Sequence, residues 1–347
     1  MSGVSKAIVQ PLLSWYDAGH RDLPWRSEPA PYRVWVSEIM LQQTRVEAVR
    51  GYFSRWMNAL PDIPALAAAD EAVYTKLWEG LGYYSRVRNL HRAAVLLCEE
   101  YGGELPADYD RLLALPGVGE YTAGAVASIA FGLPVPAVDG NVLRVAARLD
   151  NDFTPITDAK FKKQTRERFA ALMPSDRPGD LNQSLMELGA TVCLPNGAPR
   201  CGDCPIQHLC EGFHRGNAAV LPLRAAKKAR RVENRTVLVV RCGQLVGLRQ
   251  RPKKGLLAGL WELPSLDGHL SPDELRAALT EMGWSVRKLL SLRPAKHIFT
   301  HVEWHMNGVY VELDAPAPAL TFVTPAELRD AYALPSAFRS FISVLED

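Results

Sequence analysis

The sequence predicts a mostly α N-terminal domain followed by a smaller α+β domain. Three observations carry this. The chain has 347 residues, about two domains at roughly 150 residues each. Up to about residue 214, apolar residues recur at helical spacing and are broken by glycine and proline. After Glu233, short apolar runs separated by turns replace them. A content of 48% hydrophobic and 22% charged residues excludes wholesale disorder. No apolar run reaches the roughly 18 residues of a membrane span, and Met1 to Gln10 carry no secretory signal.

The elements follow in order. Tyr32 to Leu60 reads as one long helical stretch, stopped by Pro61. Asp70 to Gly80 is a short amphipathic helix ended by Gly80 and Gly82, and Asn89 to Tyr101 is ended by Gly102-Gly103. Asp108 to Leu115 stops at Pro116, and Tyr121 to Phe131 closes at Gly132 and Pro134. Asn141 to Leu149, Asp158 to Leu172 and Asp180 to Val192 complete the helical part. Further on, Thr236 to Cys242 and Leu245 to Arg249 read as a hairpin around Gly243-Gln244. Leu270 to Gly283 reads as a helix; Val286 to Leu292 and Val302 to Leu313 read as strands.

Three regions result: a helical domain over 1–214, a connector over 215–235, and an α+β domain over 236–347. Their net charges are −4, +6 and 0, which make up the total of +2. The positive block, Arg224 through Arg235, suits a solvated linker or a segment that touches a polyanion.

Four of the six cysteines fall close together, as Cys193-x7-Cys201-x2-Cys204-x5-Cys210. This is not a disulfide framework spread through a small secreted chain. Prolines and glycines forbid a regular core element there, so the loop needs a metal to hold it. Only the central pair is close, which favours a [4Fe–4S] cluster over zinc or unligated thiols. Cys98 and Cys242 read as ordinary buried residues.

Leu115-Pro-Gly-Val-Gly joins one helix to the next. Gly117 and Gly119 permit unusual backbone shapes and let the main chain approach a phosphate, while the next helix presents its N-terminal amides. This is a helix–hairpin–helix reading for DNA, against a plain tight turn. Glu38 lies in Val34-Trp-Val-Ser-Glu-Ile-Met-Leu, where lost hydration favours the protonated acid. Asp139, in Val138-Asp-Gly-Asn-Val, is either an N-cap or the second carboxylate of a glycosyl-cleaving pair.

Together with Leu23-Pro-Trp-Arg, Ser37-Glu-Ile-Met-Leu-Gln-Gln-Thr and Gly80-Leu-Gly-Tyr-Tyr, these motifs resemble the adenine DNA glycosylases of the MutY family, in order from Leu12 to Cys210. The resemblance implies a helix-hairpin-helix glycosylase domain with a [4Fe–4S] loop. In it, Glu38 protonates adenine N7 and then helps activate water, Asp139 stabilises the oxocarbenium sugar, and Tyr121 and Asn141 support them. Trp25, Arg26 and Gln183 line the adenine pocket. Leu41, Gln43, Thr44 and Tyr83 wedge into the duplex or touch the lesion, and Cys193, Cys201, Cys204 and Cys210 hold the cluster. The first cysteine gap is seven here where the familiar pattern has six. In the related endonuclease III enzymes a lysine stands where Tyr121 is, so base removal without strand cleavage is expected.

The C-terminal part resembles the Nudix-like domain of the same family, through Gly255-Leu-Leu-Ala-Gly-Leu-Trp-Glu-Leu-Pro and Phe299-Thr-His. Phe299, Thr300 and His301 then stand where that family inspects 8-oxoguanine; the plain reading is a core aromatic beside a surface histidine. Asp273, Glu274 and Glu281 do not make the glutamate-rich helix of a pyrophosphatase, so none is expected. The expected function is a monofunctional glycosylase excising adenine opposite 8-oxoguanine or guanine in double-stranded DNA. The expected protein is monomeric, intracellular, cytoplasmic and free of membrane. Alternatives are an endonuclease III-like glycosylase/lyase for pyrimidine lesions and a non-catalytic iron–sulfur lesion sensor.

Overall fold

A computed structural model describes residues 5–195, 197–224 and 229–345. By contact it divides into two compact units: Met1–Ala68 with Asn89–Ala226, and Ala69–Arg88 with Lys227–Asp347. No helix among the described residues is long and apolar enough to cross a membrane.

The first unit, among its described residues, is helical. It contains α1 (Val9–Gly19), α2 (Pro31–Leu41), α3 (Val46–Ala59) and α4 (Ile63–Ala67). After α5 (Glu71–Leu77), which belongs to the second unit, come α6 (Ser85–Tyr101), which crosses the boundary, α7 (Tyr109–Ala114) and α8 (Glu120–Phe131). The series ends with α9 (Gly140–Leu149), α10 (Ala159–Ala170), α11 (Pro178–Thr191) and the single turn α12 (Glu211–His214). Caps set several starts: Asp108, Asp139 and Asp158 each accept backbone N–H bonds from the helix they precede. Gly132, at φ 67°, ends α8 in the left-handed conformation.

One expectation fails here. The single stretch from Tyr32 to Leu60 is two helices, α2 and α3. Gln43 sits at φ 58°, which breaks the i→i−4 ladder, and Arg45 restarts it from an extended conformation. No glycine or proline marks the break, so helical periodicity runs through it unnoticed. Helices α1 and α4 also went unread.

Much of the first core is α9 and α11 packed with α1: Val142, Val145, Leu181, Leu185 and Leu188 lie together with Leu12. Between α8 and α11 runs the extended segment leading to Asp139. The buried Asn182 pins it: its Oδ1 accepts Ala137 N at 2.9 Å and its Nδ2 donates to Val135 O at 2.9 Å. All its bonding groups are satisfied at low dielectric, which makes the register specific.

The second unit is built on one sheet of eight strands. They are β1 (Arg231–Cys242), β2 (Leu245–Gln250), β3 (Trp261–Glu262), β4 (Ser265–Asp267), β5 (Val286–Ser291), β6 (Ala295–Ile298), β7 (Val302–Leu313) and β8 (Thr321–Val323). The main order is β3-β2-β1-β7-β5, with β4 on β1, β6 on β7 and β8 on β2. Only the long central pair β1 and β7 is parallel among the described pairings. Val237 and Val239 face one core with Phe338 and Phe341, while Leu238 and Val240 face the other with Leu275 and Leu279. That two-sided burial explains the unbroken apolar run.

Helices α13 (Pro272–Glu281), α14 (Pro325–Ala331) and α15 (Arg339–Ile342) cover the sheet. The hairpin expected at Gly243-Gln244 is present, with Cys242 opposite Leu245. Strand β1 starts at Arg231, five residues inside the expected connector. There Arg231 and Arg235 both pair with Glu233, whose carboxylate also accepts Trp304 Nε1 at 2.9 Å. The end of the positive block is therefore strand, not linker; its residues 225–228 lie outside the described residues. Glu274 is engaged in the capping box of Ser271.

Segment Ala69–Arg88 groups by contact with the C-terminal unit, although the division at 214 and 235 put it in the first domain. Lys76 Nζ donates to Tyr332 O at 3.1 Å and Leu334 N to Glu79 Oε1 at 2.7 Å.

Candidate active site

The first unit opens in a cleft of about 730 Å³. Helical geometry decides what lines it. From α2 come Val34, Ser37, Glu38 and Leu41, and from α11 come Gln183, Met186, Glu187 and Ala190. Each set is spaced i, i+3, i+4, i+7, a single stripe on a helix face. The break after α2 adds Gln42, Gln43 and Thr44, and the start of α8 adds Gly119, Tyr121 and Thr122. Asp139 and Asn141 enter from the head of α9, and Trp25 and Arg26 from the loop before α2.

Glu38 is 5% exposed and its Oε2 accepts a hydrogen bond from Tyr121 Oη. Burial pushes its carboxyl up from 4.5 to about 7, and the nearby Asp139 adds to the rise; the Tyr121 bond and Arg26 only partly oppose it. The Tyr121 hydroxyl is itself driven well above its ordinary value by burial and by both carboxylates, so it stays a donor.

Asp139 is the expected cap of α9 and also lines the cleft. Its Oδ1 caps α9, accepting Asn141 N at 2.9 Å and Val142 N at 2.8 Å. Its Oδ2 accepts Asn141 Nδ2 at 2.6 Å. Burial raises this carboxyl, while these three bonds and Arg144 pull it back toward the ionised form. Asn141 is held in turn: Arg144 Nη2 donates to Asn141 Oδ1 at 2.8 Å and to Gly189 O at 2.7 Å, and its Nε to Cys193 O at 2.8 Å.

Glu187 escaped the sequence reading, although the stripe begun by Gln183 predicts it four residues on. It is buried, and it accepts from Arg21 Nε at 2.7 Å and Arg26 Nη2 at 2.9 Å. Burial alone would raise its carboxyl; the two guanidinium groups outweigh that and hold it low. Trp25 is buried and packs edge-on against Phe53 at 5.5 Å.

Of the remaining expected residues, Gly119 borders the cleft and the others lie elsewhere. Gly117, at φ 76° and with a Cβ position 2.5 Å from Asn89 Cβ, makes the hairpin turn between α7 and α8. Gly119 has an ordinary φ of −100°, contrary to the expected unusual shape, and nothing within 4 Å of its Cβ position. Neither its conformation nor its surroundings therefore demand a glycine.

In the second unit Tyr83 sits at φ 45° in the Gly80–Tyr84 loop, and its hydroxyl lies 2.7 Å from Thr300 Oγ1. Phe299 is partly buried against Trp304, with ring centroids 4.8 Å apart, while His301 is exposed. The connector end braces this loop: Arg230 Nε donates to Phe299 O and Arg231 N to His301 O, both at 3.1 Å.

The cysteine loop is built after α11. Cys193, Cys201, Cys204 and Cys210 all line one cavity of about 30 Å³. Among the described residues no group of three or more His, Cys, Asp or Glu side chains forms a site for a metal ion. Arg148 Nη1 donates to Cys193 Sγ at 3.1 Å. Burial pushes the Cys204 thiol up to about 12 and raises Cys201 and Cys210 as well, so holding these three as thiolates calls for a cation beside them. The donor set fits a metal cluster.

Fold and cleft together define a DNA glycosylase of the base excision repair class. Residues 36–172 match the HhH-GPD superfamily base excision DNA repair protein family, and residues 236–344 match the NUDIX domain family. A solved structure of a thermostable thymine-DNA glycosylase is similar, with TM-score 0.54 and 27% identity, covering 60% of this chain and 96% of that one. The adenine DNA glycosylase of Mus musculus is 38% identical, covering 97% of this chain and 77% of its own length. That of Rattus norvegicus is 36% identical, covering 98% and 78%. The chain belongs to the adenine DNA glycosylase family.

Proposed function

We propose that the cleft hydrolyses the N-glycosidic bond of adenine placed opposite 8-oxoguanine or guanine in double-stranded DNA, and leaves the backbone uncut. The observation that carries this is a buried carboxyl, Glu38, raised by that burial to about 7 and sharing one cleft with a capped second carboxylate. An extruded adenine fits such a cleft, because chemistry on a base requires taking it out of the stack. Glu38 gives its proton to adenine N7 as the C1′–N9 bond breaks, and neutral adenine leaves. Asp139, fixed by the α9 amides and Asn141, faces the sugar cation. Glu38, now a carboxylate, takes a proton from the water that attacks C1′. Tyr121 offers no amine for a Schiff base, so the sugar–phosphate bonds stay intact. In labelled duplex, adenine release is expected to show a nick only after alkali. Efficient nicking without it, or trapping by borohydride, supports the glycosylase/lyase alternative instead.

For the opposite base, the support is Tyr83 in a strained left-handed loop, bonded to Thr300 beside Phe299 and His301; strain of this kind clusters at functional sites. Cys193, Cys201, Cys204 and Cys210 would hold a [4Fe–4S] cluster, which when bound supplies cross-links that make the loop rigid. Iron content tests this: a colourless preparation with zinc and no iron overturns it. Four cysteines gathered as cluster ligands rather than disulfides fit a reducing, cytoplasmic setting.

A further inference from the structure

We propose that α10 carries a phosphate-binding contact of its own, apart from the hairpin. Lys162 and Arg166 grip a backbone phosphate beside the extruded nucleotide, and Glu120 occupies Arg166 while DNA is absent. The proposal rests on reading the cleft as a nucleotide pocket.

The first unit's helical region is net acidic, yet α10 carries Lys160, Lys162, Lys163, Arg166 and Arg168 against Glu167 alone. Two of these cations are committed elsewhere: Lys163 pairs with Glu167 and Arg168 with Asp150. Lys162 and Arg166 are one helical turn apart on one face, and both line the cleft that holds Glu38 and Asp139. Every nucleotide has a phosphate on each side of its sugar. A base lodged near Glu38 therefore draws phosphates to the cleft wall, and a guanidinium fork with an ammonium matches that anion.

The partner of Arg166 supports this use. Glu120 forms its ion pair with Arg166 from the first turn of α8, directly after Gly119, and its side chain is 60% exposed. A helix N-terminus favours an anion, so Glu120 holds its carboxylate where a phosphate would be stabilised. An exposed ion pair of this kind is worth little in water and yields readily to a more highly charged competitor. Exchange of Glu120 for phosphate gives DNA a contact at small cost.

The test uses the full chain and a duplex with adenine opposite 8-oxoguanine in which a fluorinated sugar blocks base release. Affinity is measured from about 50 to 250 mM salt. Losing this phosphate contact in K162A/R166A is expected to lower the slope of log affinity against log salt by about one. The charge-retaining exchange K162R/R166K is expected to restore it. An unchanged slope in the alanine variant overturns the proposal, and so does a loss that the charge-retaining variant fails to restore.

E120Q gives an independent reading in a double-mutant cycle. It is expected to tighten binding several-fold with Arg166 present and much less in R166A; an equal gain in both backgrounds shows that Glu120 does not act through Arg166. If the unaltered chain releases no adenine from ordinary duplex, the nucleotide-pocket reading fails. If adenine is released and the slope does not change, only the α10 contact fails.

Discussion

The proton on Glu38 is held by burial. An unfolded glutamate loses it near 4.5, the folded one near 7, a gap worth roughly 3 kcal/mol. The stability this group contributes is complete below pH 4.5 and is lost as pH rises through 7. Glu38→Gln, neutral throughout, should therefore be more stable than the unaltered chain at pH 8, by up to about 3 kcal/mol, with the gap nearly closed at pH 5. Melting curves at the two pH values check this. The same substitution should cost adenine release at least about a hundredfold. The sequence revealed Glu38 because its neighbours are apolar. It left Asp139 open between cap and catalyst, since the types and spacing of residues do not say which oxygen faces what. The structure shows the cap, with Oδ1 on the α9 amides and Oδ2 on the Asn141 side chain.

At the scale of elements, the cleft depends on close backbone approaches. A Cβ added at Gly189 would sit 2.5 Å from Asn141 Cβ, so α11 lies almost on the residue that orients Asp139. Gly189→Ala should destabilise the fold by about 1–3 kcal/mol and slow adenine release. Denaturant unfolding and single-turnover kinetics check the two effects. Gly117→Ala meets both a left-handed φ and Asn89, and is expected to weaken DNA binding several-fold in a titration. Most helices with proline, glycine or aspartate at their ends were legible, although α1, ending at Gly19, and α4, capped by Asp62, were not. The break at Gln43 was not, because tertiary packing imposes it without a turn residue. Edge strands β3, β4, β6 and β8 also went unread, being too short for an alternating pattern to show. Glu187 and the α10 cations were within reach of the helical period, once one residue of each stripe was placed.

At the scale of the whole molecule, net charge hid what mattered. A chain of +2 overall gives no sign of DNA, yet a cationic face lines the cleft of its acidic region. The second unit supplies Tyr83 and Thr300 from distant parts of the sequence, a pairing that no linear reading of domains brings together. Thr300→Ala is expected to narrow the preference for 8-oxoguanine over guanine opposite adenine, read from the ratio of release rates on the two duplexes.

The central claim is that a neutral Glu38 delivers the proton. The most direct test is the single-turnover rate of adenine release across pH 5 to 9. The account predicts a rate that falls tenfold per pH unit above about 7, where Glu38 loses its proton. A rate that stays level or climbs to pH 9 contradicts it.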